Sequence, residues 1–209
     1  DKAEAIRTGV PTLTAARSEA LEVIKSTAAE RSSPLFIADE KDPLFSTPDS
    51  AHLYYPENTR LAAATLRTLS VSEEVISATL TSLPLPARRE VFSIKNKLVI
   101  LDGGHNPAAA QALNVSLKEP YVLIFGALPK KQGEATLRVL EPNALTVILT
   151  QAAGQIDPDL IIPERRYIPD PFEALEGGLE LCPKGASVLI TGSLYLAGQV
   201  RPHLKNQEK

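Results

Sequence analysis

Methionine and tryptophan are missing from this chain of 209 residues, and cysteine occurs once. A lone cysteine, Cys182, can form neither an intrachain disulfide nor a cysteine metal knuckle, so a buried thiol in a reducing cytoplasm is expected. A positive charge balance is lacking too: 22 Lys and Arg stand against 25 Asp and Glu, a formal charge of −3, which leaves no basic footprint for nucleic acid. No apolar run approaches the roughly 18 residues that cross a bilayer, so no membrane span is expected. The charged start Asp1-Lys2-Ala3-Glu4, with no apolar stretch after it, is unlike a signal peptide. Internal repeats, low-complexity tracts and a G-x-x-x-x-G-K-[ST] phosphate loop are absent as well. With 44% hydrophobic and 22% charged residues, the composition is that of a globular protein, neither disordered nor coiled coil. The length suffices for one large domain or two small ones. An opening in mid-pattern on Asp1, without any methionine downstream, leads to the expectation of a piece of a longer polypeptide.

What is present is alternation of short apolar runs with amphipathic ones. Strands are expected over 10–16 and 35–38, with a helix opening at Ser18-Glu19 whose Ala20, Leu21, Ile24 and Ala28 share a face. The acidic loop Asp39-Glu40-Lys41-Asp42-Pro43 reads as solvated surface. Helices follow over 57–69 and 72–80, the second with Glu73 and Glu74 near its positive end. Leu83-Pro84-Leu85-Pro86 alternates proline with leucine, which forces extended backbone and marks a domain boundary. The expected division is therefore 1–82, a linker at 83–87, and 88–209. Beyond the linker, strands are expected over 91–94, 98–101, 121–125, 145–149, 167–168 and 187–191. Helices are expected over 107–117, 133–140, 171–181 and 194–200. Apolar strands alternating with helices of about ten residues predict an α/β fold with a mostly parallel sheet covered on both faces.

The segment Val99-Ile100-Leu101-Asp102-Gly103-Gly104-His105-Asn106-Pro107 carries the densest chemistry. A buried strand ends in an acid, two glycines, a histidine and an asparagine, and a helix then starts on proline. Loops at the carboxyl ends of strands are where open α/β sheets bind ligands. Asn106 can cap the helix and Pro107 suits its first position, while the unpaired N–H groups there favour a phosphate or carboxylate. The competing reading is a tight turn in which Asp102 bonds locally and His105 has no chemical role.

These residues resemble the folylpolyglutamate synthase and dihydrofolate synthase family of the Mur ligase superfamily. Leu101-Asp102-Gly103-Gly104-His105-Asn106-Pro107 is similar to its L-D-G-A-H-N-P signature, and Pro86-Ala87-Arg88-Arg89-Glu90 to its P-G-R-x-E linker. Phe125-Gly126-Ala127-Leu128 resembles F-G-A-L, and Thr191-Gly192-Ser193-Leu194-Tyr195 resembles T-G-S-L-Y. Residues 1–11 resemble the E-K-A-G-I-I-(K/R)-x-G-V-P segment late in the family's ATPase domain, and Tyr55-Pro56-Glu57-Asn58 the segment that brings an asparagine to the nucleotide.

The resemblance implies the end of a P-loop-type central ATPase domain followed by a Rossmann-like C-terminal domain. It implies ATP-dependent ligation of L-glutamate to a folate through an acyl phosphate, with ATP and Mg²⁺ as cofactors. Folate, L-glutamate and a missing N-terminal ATPase half are the implied partners. Asn58, Arg88 and Asp102 are the implied nucleotide ligands, with Ser193 a weaker one, and His105 lies beside the phosphate or the incoming glutamate. Lys2 matches a lysine that is carbamoylated in the superfamily, where the new carboxylate helps hold a metal. Without the P-loop, this stretch is expected to be inactive alone. Plainer roles stay open: a solvated basic hairpin for Arg88, Arg89, Lys95 and Lys97, a helix cap for Asn58, and turn hydrogen bonds for Ser193. A peptidoglycan Mur-type ligase and a stand-alone nucleotide-binding domain are the alternatives. The chain departs from the family pattern at Ala87, Glu4 and Gly104. It also departs at Pro129-Lys130-Lys131-Gln132, which lacks two acids, and at Gln151-Ala152-Ala153-Gly154-Gln155, where an arginine-bearing loop is expected.

Overall fold

The computed structural model describes residues 2–48, 56–82, 85–129 and 131–208, and the chain divides into two units, Asp1–Leu83 and Pro84–Lys209. Tyr55, the linker residues Leu83 and Pro84, and Lys130 lie outside the described residues, as does the side chain of Lys2.

In the first unit, strand β1 (Thr12–Thr14) pairs in parallel with β2 (Leu35–Ile37), Leu13 opposite Phe36. Helix α1 (Ser18–Glu30) makes the crossover that parallel strands require. β1 is shorter than the 10–16 expected from the apolar run. Pro11 has no N–H to give at one end, and at the other the Thr14 hydroxyl accepts the Ala16 N–H at 3.0 Å and turns the chain away. The acidic loop is partly a structural device: Asp42 caps a short 3-10 turn at Pro43–Phe45 by accepting the Leu44 N–H at 2.9 Å. Helix α2 (Pro56–Thr68) opens on a proline and lays Ala64 against buried Phe45 and Ala38, and α3 (Glu73–Ser82) packs beside it.

The second unit is built on a six-stranded sheet. Its strands are β3 (Glu90–Ile94), β4 (Lys97–Leu101), β5 (Tyr121–Phe125), β6 (Ala144–Leu149), β7 (Arg166–Tyr167) and β8 (Ser187–Thr191), in the order β3-β4-β8-β5-β6-β7. Only edge strand β3 is antiparallel, joined to β4 through Lys95 and Asn96 at φ 49° and 61°, the paired left-handed residues of a tight hairpin. All five residues of β5 and all five of β8 are buried, so both sheet faces are covered.

Helices α4 (Pro107–Ser116) and α5 (Gly133–Leu140) pack together, and α6 (Pro171–Leu181) packs against α7 (Leu194–Gln207). Alternation along the strands divides the core. Val99, Leu101, Val122, Ile124, Val188 and Ile190 cluster with Leu175 and Leu179 of α6 and with Leu196, Val200 and Leu204 of α7. Tyr121 goes to α5 instead, its buried hydroxyl donating to the Leu140 carbonyl at 2.7 Å, and burial pushes its pKa up to about 12. Cys182 at the end of α6 is buried, and burial pushes its thiol up as well. Lys97 Nζ closes that helix by donating to the carbonyls of Leu179 and Cys182, each at 2.5 Å.

Helix α7 runs seven residues past the 194–200 expected from the sequence, with Pro202 inside it. Leu196, Val200 and Leu204 recur at a spacing of four and are all buried, so packing carries the helix through a proline that would end an isolated one. Among the described residues, no helix is long and apolar enough to cross a membrane.

Candidate active site

At the carboxyl ends of β4, β8 and β5, backbone hydrogen bonds draw four separate sequence segments together. Asp102 N donates to Ile190 O at 3.0 Å, which continues the β4–β8 ladder one step beyond Leu101. The Gly104 carbonyl then accepts Gly192 N at 3.0 Å and the Thr191 hydroxyl at 3.3 Å, joining the loop after β4 to the loop after β8. Gly126 N donates to Thr191 O at 3.1 Å and ties in the loop after β5. Gly103 N donates to Ala87 O at 2.8 Å, which brings in the turn before β3. Glycine is needed at Gly192, where φ is 104° and a Cβ would lie 2.8 Å from the Gly126 carbonyl oxygen.

Two helices begin at this end of the sheet, after the adjacent parallel strands β4 and β8. Asn106 caps α4 by accepting Ala109 N at 2.9 Å, with Pro107 in the first turn. Ser193 caps α7 by accepting Tyr195 N at 3.1 Å. Both helices present the partial positive charge of their N-termini, a setting that favours a phosphate or carboxylate.

Asp102 is fully buried. Its Oδ1 accepts Gly104 N at 2.7 Å and its Oδ2 accepts Arg89 N at 2.9 Å, so this carboxylate organises backbone on two sides of the site. A Cβ on Gly104, where the family signature has alanine, would lie 2.8 Å from Asp102 Oδ1. Glycine here lets the carboxylate sit close over its own loop.

Arg88 is half-buried, and its Nη1 donates to the Ala87 carbonyl at 3.0 Å. The turn that carries it has Ala87 at φ 51° and Arg89 at φ 48°. A non-glycine residue in that region costs on the order of 1 kcal/mol, which is a physical reason for the glycine that the family pattern has at the position of Ala87. His105 is exposed, with Nδ1 3.1 Å from the Gly103 carbonyl, an arrangement that makes Nδ1 the donor and Nε2 an acceptor when Nδ1 carries the proton.

The fold thus gathers Arg88, Asp102, His105 and Ser193 at one end of the sheet. The Ser193 hydroxyl is occupied as a helix cap and 4% exposed. Asn58 belongs to the first unit, exposed in the first turn of α2, and Lys2 opens a 3-10 turn, Lys2–Ala5, at its start. That unit holds a cavity of about 480 Å³ lined by Arg17, Ile37, Asp39, Glu40, Glu57 and Arg60. Its cations are already matched, Arg60 to Glu40 at 2.8 Å and Arg17 to Glu57 at 3.7 Å. Among the described residues, no group of three or more His, Cys, Asp or Glu side chains could hold a metal ion.

The pairing of Glu90 with Arg201 had no signal in the sequence. Glu90 accepts Ala87 N at 2.9 Å and is gripped by Arg201, Nε to Oε2 at 2.7 Å and Nη2 to Oε1 at 2.8 Å. Glu90 ends the Pro86–Glu90 segment, but nothing along the chain points to Arg201 as its partner.

Residues 87–194 match the family model of the Mur ligase, glutamate ligase domain. The folylpolyglutamate synthase of Lacticaseibacillus casei is 34% identical over 131 residues, covering 57% of this chain and 29% of that protein. The crystal structure of folylpolyglutamate synthase from Thermotoga maritima superposes with a TM-score of 0.67 at 28% identity, over 98% of this chain and 56% of that one. A bifunctional folylpolyglutamate synthase/dihydrofolate synthase from Yersinia pestis, complexed with AMPPNP and a Mn ion, has a TM-score of 0.74 at 23% identity and shares the fold over 98% of this chain and 55% of its own. The chain spans about half the length of these solved relatives, or less in the curated one. With its second unit matched almost throughout by the glutamate ligase domain, and its four signature segments meeting at one end of one sheet, the chain belongs to the Mur ligase family, on its folylpolyglutamate synthase/dihydrofolate synthase branch.

Proposed function

We propose that this chain is the non-P-loop wall of an ATP-dependent ligase that joins L-glutamate to a folate, working with an N-terminal ATPase half that carries the phosphate loop. Its first unit, by this reading, is the end of the central ATPase domain, and its second the Rossmann-like C-terminal domain, in a cytoplasmic enzyme. The observation that carries the reading is the meeting of the Arg88 turn, the Asp102–Pro107 loop and the Thr191–Tyr195 loop where two helix N-termini begin. Amide formation of this kind passes through an acyl phosphate and a tetrahedral intermediate, so it depends on alignment and on neutralising phosphate charge.

The roles follow from the chemistry of each group. The guanidinium of Arg88, always charged and forked, holds phosphate oxygens. His105, exposed at the start of α4, contacts the transferring phosphate or the incoming glutamate amine. Asn58 contacts the nucleotide from the first unit. Asp102 serves the nucleotide site by ordering the two backbone segments that surround it, and Ser193 by fixing the start of α7. By the family resemblance, most of the Mg²⁺ ligands would come from the phosphate-loop half. Lys2, if carbamoylated, would add one carboxylate to them.

Incorporation of labelled L-glutamate into a folate by the protein that carries this chain together with its phosphate-loop half tests the proposal. ATP-dependent product is expected there and none from the 209 residues alone. Product from the 209 residues alone would refute the division of labour. Nucleotide binding with no product in either case would favour a non-catalytic binding domain.

A further inference from the structure

The peptide N–H groups on either side of Arg88 are each held by a carboxylate from another residue. Ala87 N donates to Glu90 Oε2 and Arg89 N to Asp102 Oδ2, both at 2.9 Å. Ala87 and Arg89 are the two residues of this turn in the left-handed region, at φ 51° and 48°, a conformation that alanine and arginine leave unless something holds them. Asp102 is fixed by its burial at the end of β4. Glu90 is fixed by the two-point grip of Arg201 from α7, its side chain 17% exposed and that of Arg201 26%. The direction in which Arg88 leaves the backbone is thus decided by a helix more than a hundred residues further along the chain.

We propose that Glu90, locked by Arg201, is a positioning residue for Arg88: it holds the left-handed turn at Ala87 and aims the guanidinium at the anion-binding end of the sheet, with Asp102 as the opposite anchor. The inference rests on the reading of Arg88 as a ligand of phosphate oxygens. It also goes beyond that reading, because it assigns work to a pair that touches no substrate. Side-chain entropy is the physical cost that such a pair removes: an arginine on a loose turn must be ordered by each ligand it binds, whereas one on a fixed turn is already in place.

Two measurements on wild type, Glu90→Ala, Arg88→Ala and the double variant test it. In the free 209-residue chain, NMR order parameters are read at the Arg88 and Arg89 amides and at Arg88 Nε. In the protein with its phosphate-loop half, ATP–Mg²⁺ affinity is read by calorimetry. Glu90→Ala should lower the order of all three groups and weaken ATP–Mg²⁺ binding about tenfold, while adding nothing to the loss already caused by Arg88→Ala. A residue with only a structural role would lower the melting temperature and leave the Arg88 signals and the affinity of the folded protein intact. That result overturns the proposal, as does equal weakening by Glu90→Ala in both backgrounds. Unchanged affinity in Arg88→Ala would sink the ligand role of Arg88 instead, and the order parameters in the free chain would still decide whether Glu90 positions it. Should Glu90→Ala not fold, Arg201→Lys keeps the charge but removes the fork, and a smaller loss of the same kind is expected from it.

Discussion

Glu90 and Arg201 stand 111 positions apart in sequence, yet Nε and Nη2 of the arginine reach the two carboxylate oxygens at 2.7 and 2.8 Å. The pair ties edge strand β3 to the last helix. Burial by itself would raise the Glu90 carboxyl, but the Arg201 hydrogen bonds, the Ala87 N–H and the charges of Arg201 and Lys205 outweigh it and hold the group below its usual 4.5. A carboxylate held low in the folded state contributes stability that is fully present above its unfolded pKa and is lost as pH falls through the folded one. The stability difference between wild type and Glu90→Gln should therefore be constant above pH ~5.5 and shrink as pH falls below the usual carboxylate range. Urea unfolding of both proteins at pH 7 and at pH 3.5 measures it, and an unchanged difference would contradict the paired carboxylate.

Ala87 occupies a backbone conformation suited to glycine, at φ 51° with its side chain buried. Ala87→Gly should stabilise the second unit by about 0.5 kcal/mol, the relief of left-handed strain exceeding the entropy that glycine adds to the unfolded chain. Chemical denaturation gives the value, and a clear loss of stability would show that burial of the Ala87 methyl matters more.

Tyr121 donates to the Leu140 carbonyl from a fully buried position. Tyr121→Phe should cost about 1 kcal/mol, because it leaves that carbonyl without this donor inside the core. Since the phenol ionises only near pH 12 in the folded protein, wild type should also lose stability as pH rises above its ordinary value of 10, and the variant should lose less. Thermal melts at pH 8 and pH 10.5 distinguish the two proteins.

Arg165 is 10% exposed and bonds both Glu134, Nη1 to Oε2 at 2.8 Å, and Glu141, Nη2 to Oε2 at 3.1 Å. It anchors the segment before β7 onto α5. Arg165→Met should destabilise by about 1–2 kcal/mol, moderated because both glutamates are about a third exposed and can rehydrate. The same variant should increase hydrogen exchange over residues 158–167, and an unaltered exchange pattern would argue against an anchoring role.

His105→Ala removes an exposed ring from the mouth of the site, so its effect on stability should stay within about 0.5 kcal/mol. Glutamate ligation by the protein with its phosphate-loop half should fall by about tenfold or more. A variant that ligates normally once corrected for folded protein would mark His105 as a turn residue.

The chain order of the elements and their types were legible from local pattern. Apolar runs at 121–125 and 187–191 are strands because their residues are buried on both faces, and Asn106-Pro107 starts a helix because its cap and first turn are local chemistry. Where local pattern misled, a longer-range contact decided. The helix expected to end at 200 continues past Pro202, because Val200 and Leu204 both face the core. The acidic run 39–43 is mostly exposed, as expected, and the cap that Asp42 sets on Leu44 is itself local. Asp102 was visible in the sequence as a candidate site residue. Which way its carboxylate turns was not, because its partners at Gly104 and Arg89 come from two different segments.

By itself, then, the sequence determined the class of fold, the strand-to-helix loop that carries the candidate residues and the residue types present there, since helix caps, strand burial and glycine turns are set within a few positions of the chain. The tertiary structure alone decided the strand order that inserts β8 between β4 and β5, and with it the meeting of the Asp102, Thr191 and Ala87 segments. It alone paired Glu90 with Arg201. Hydrogen bonds between loops so far apart depend on where the whole sheet places its strand ends, and no local stretch of residues encodes that distance.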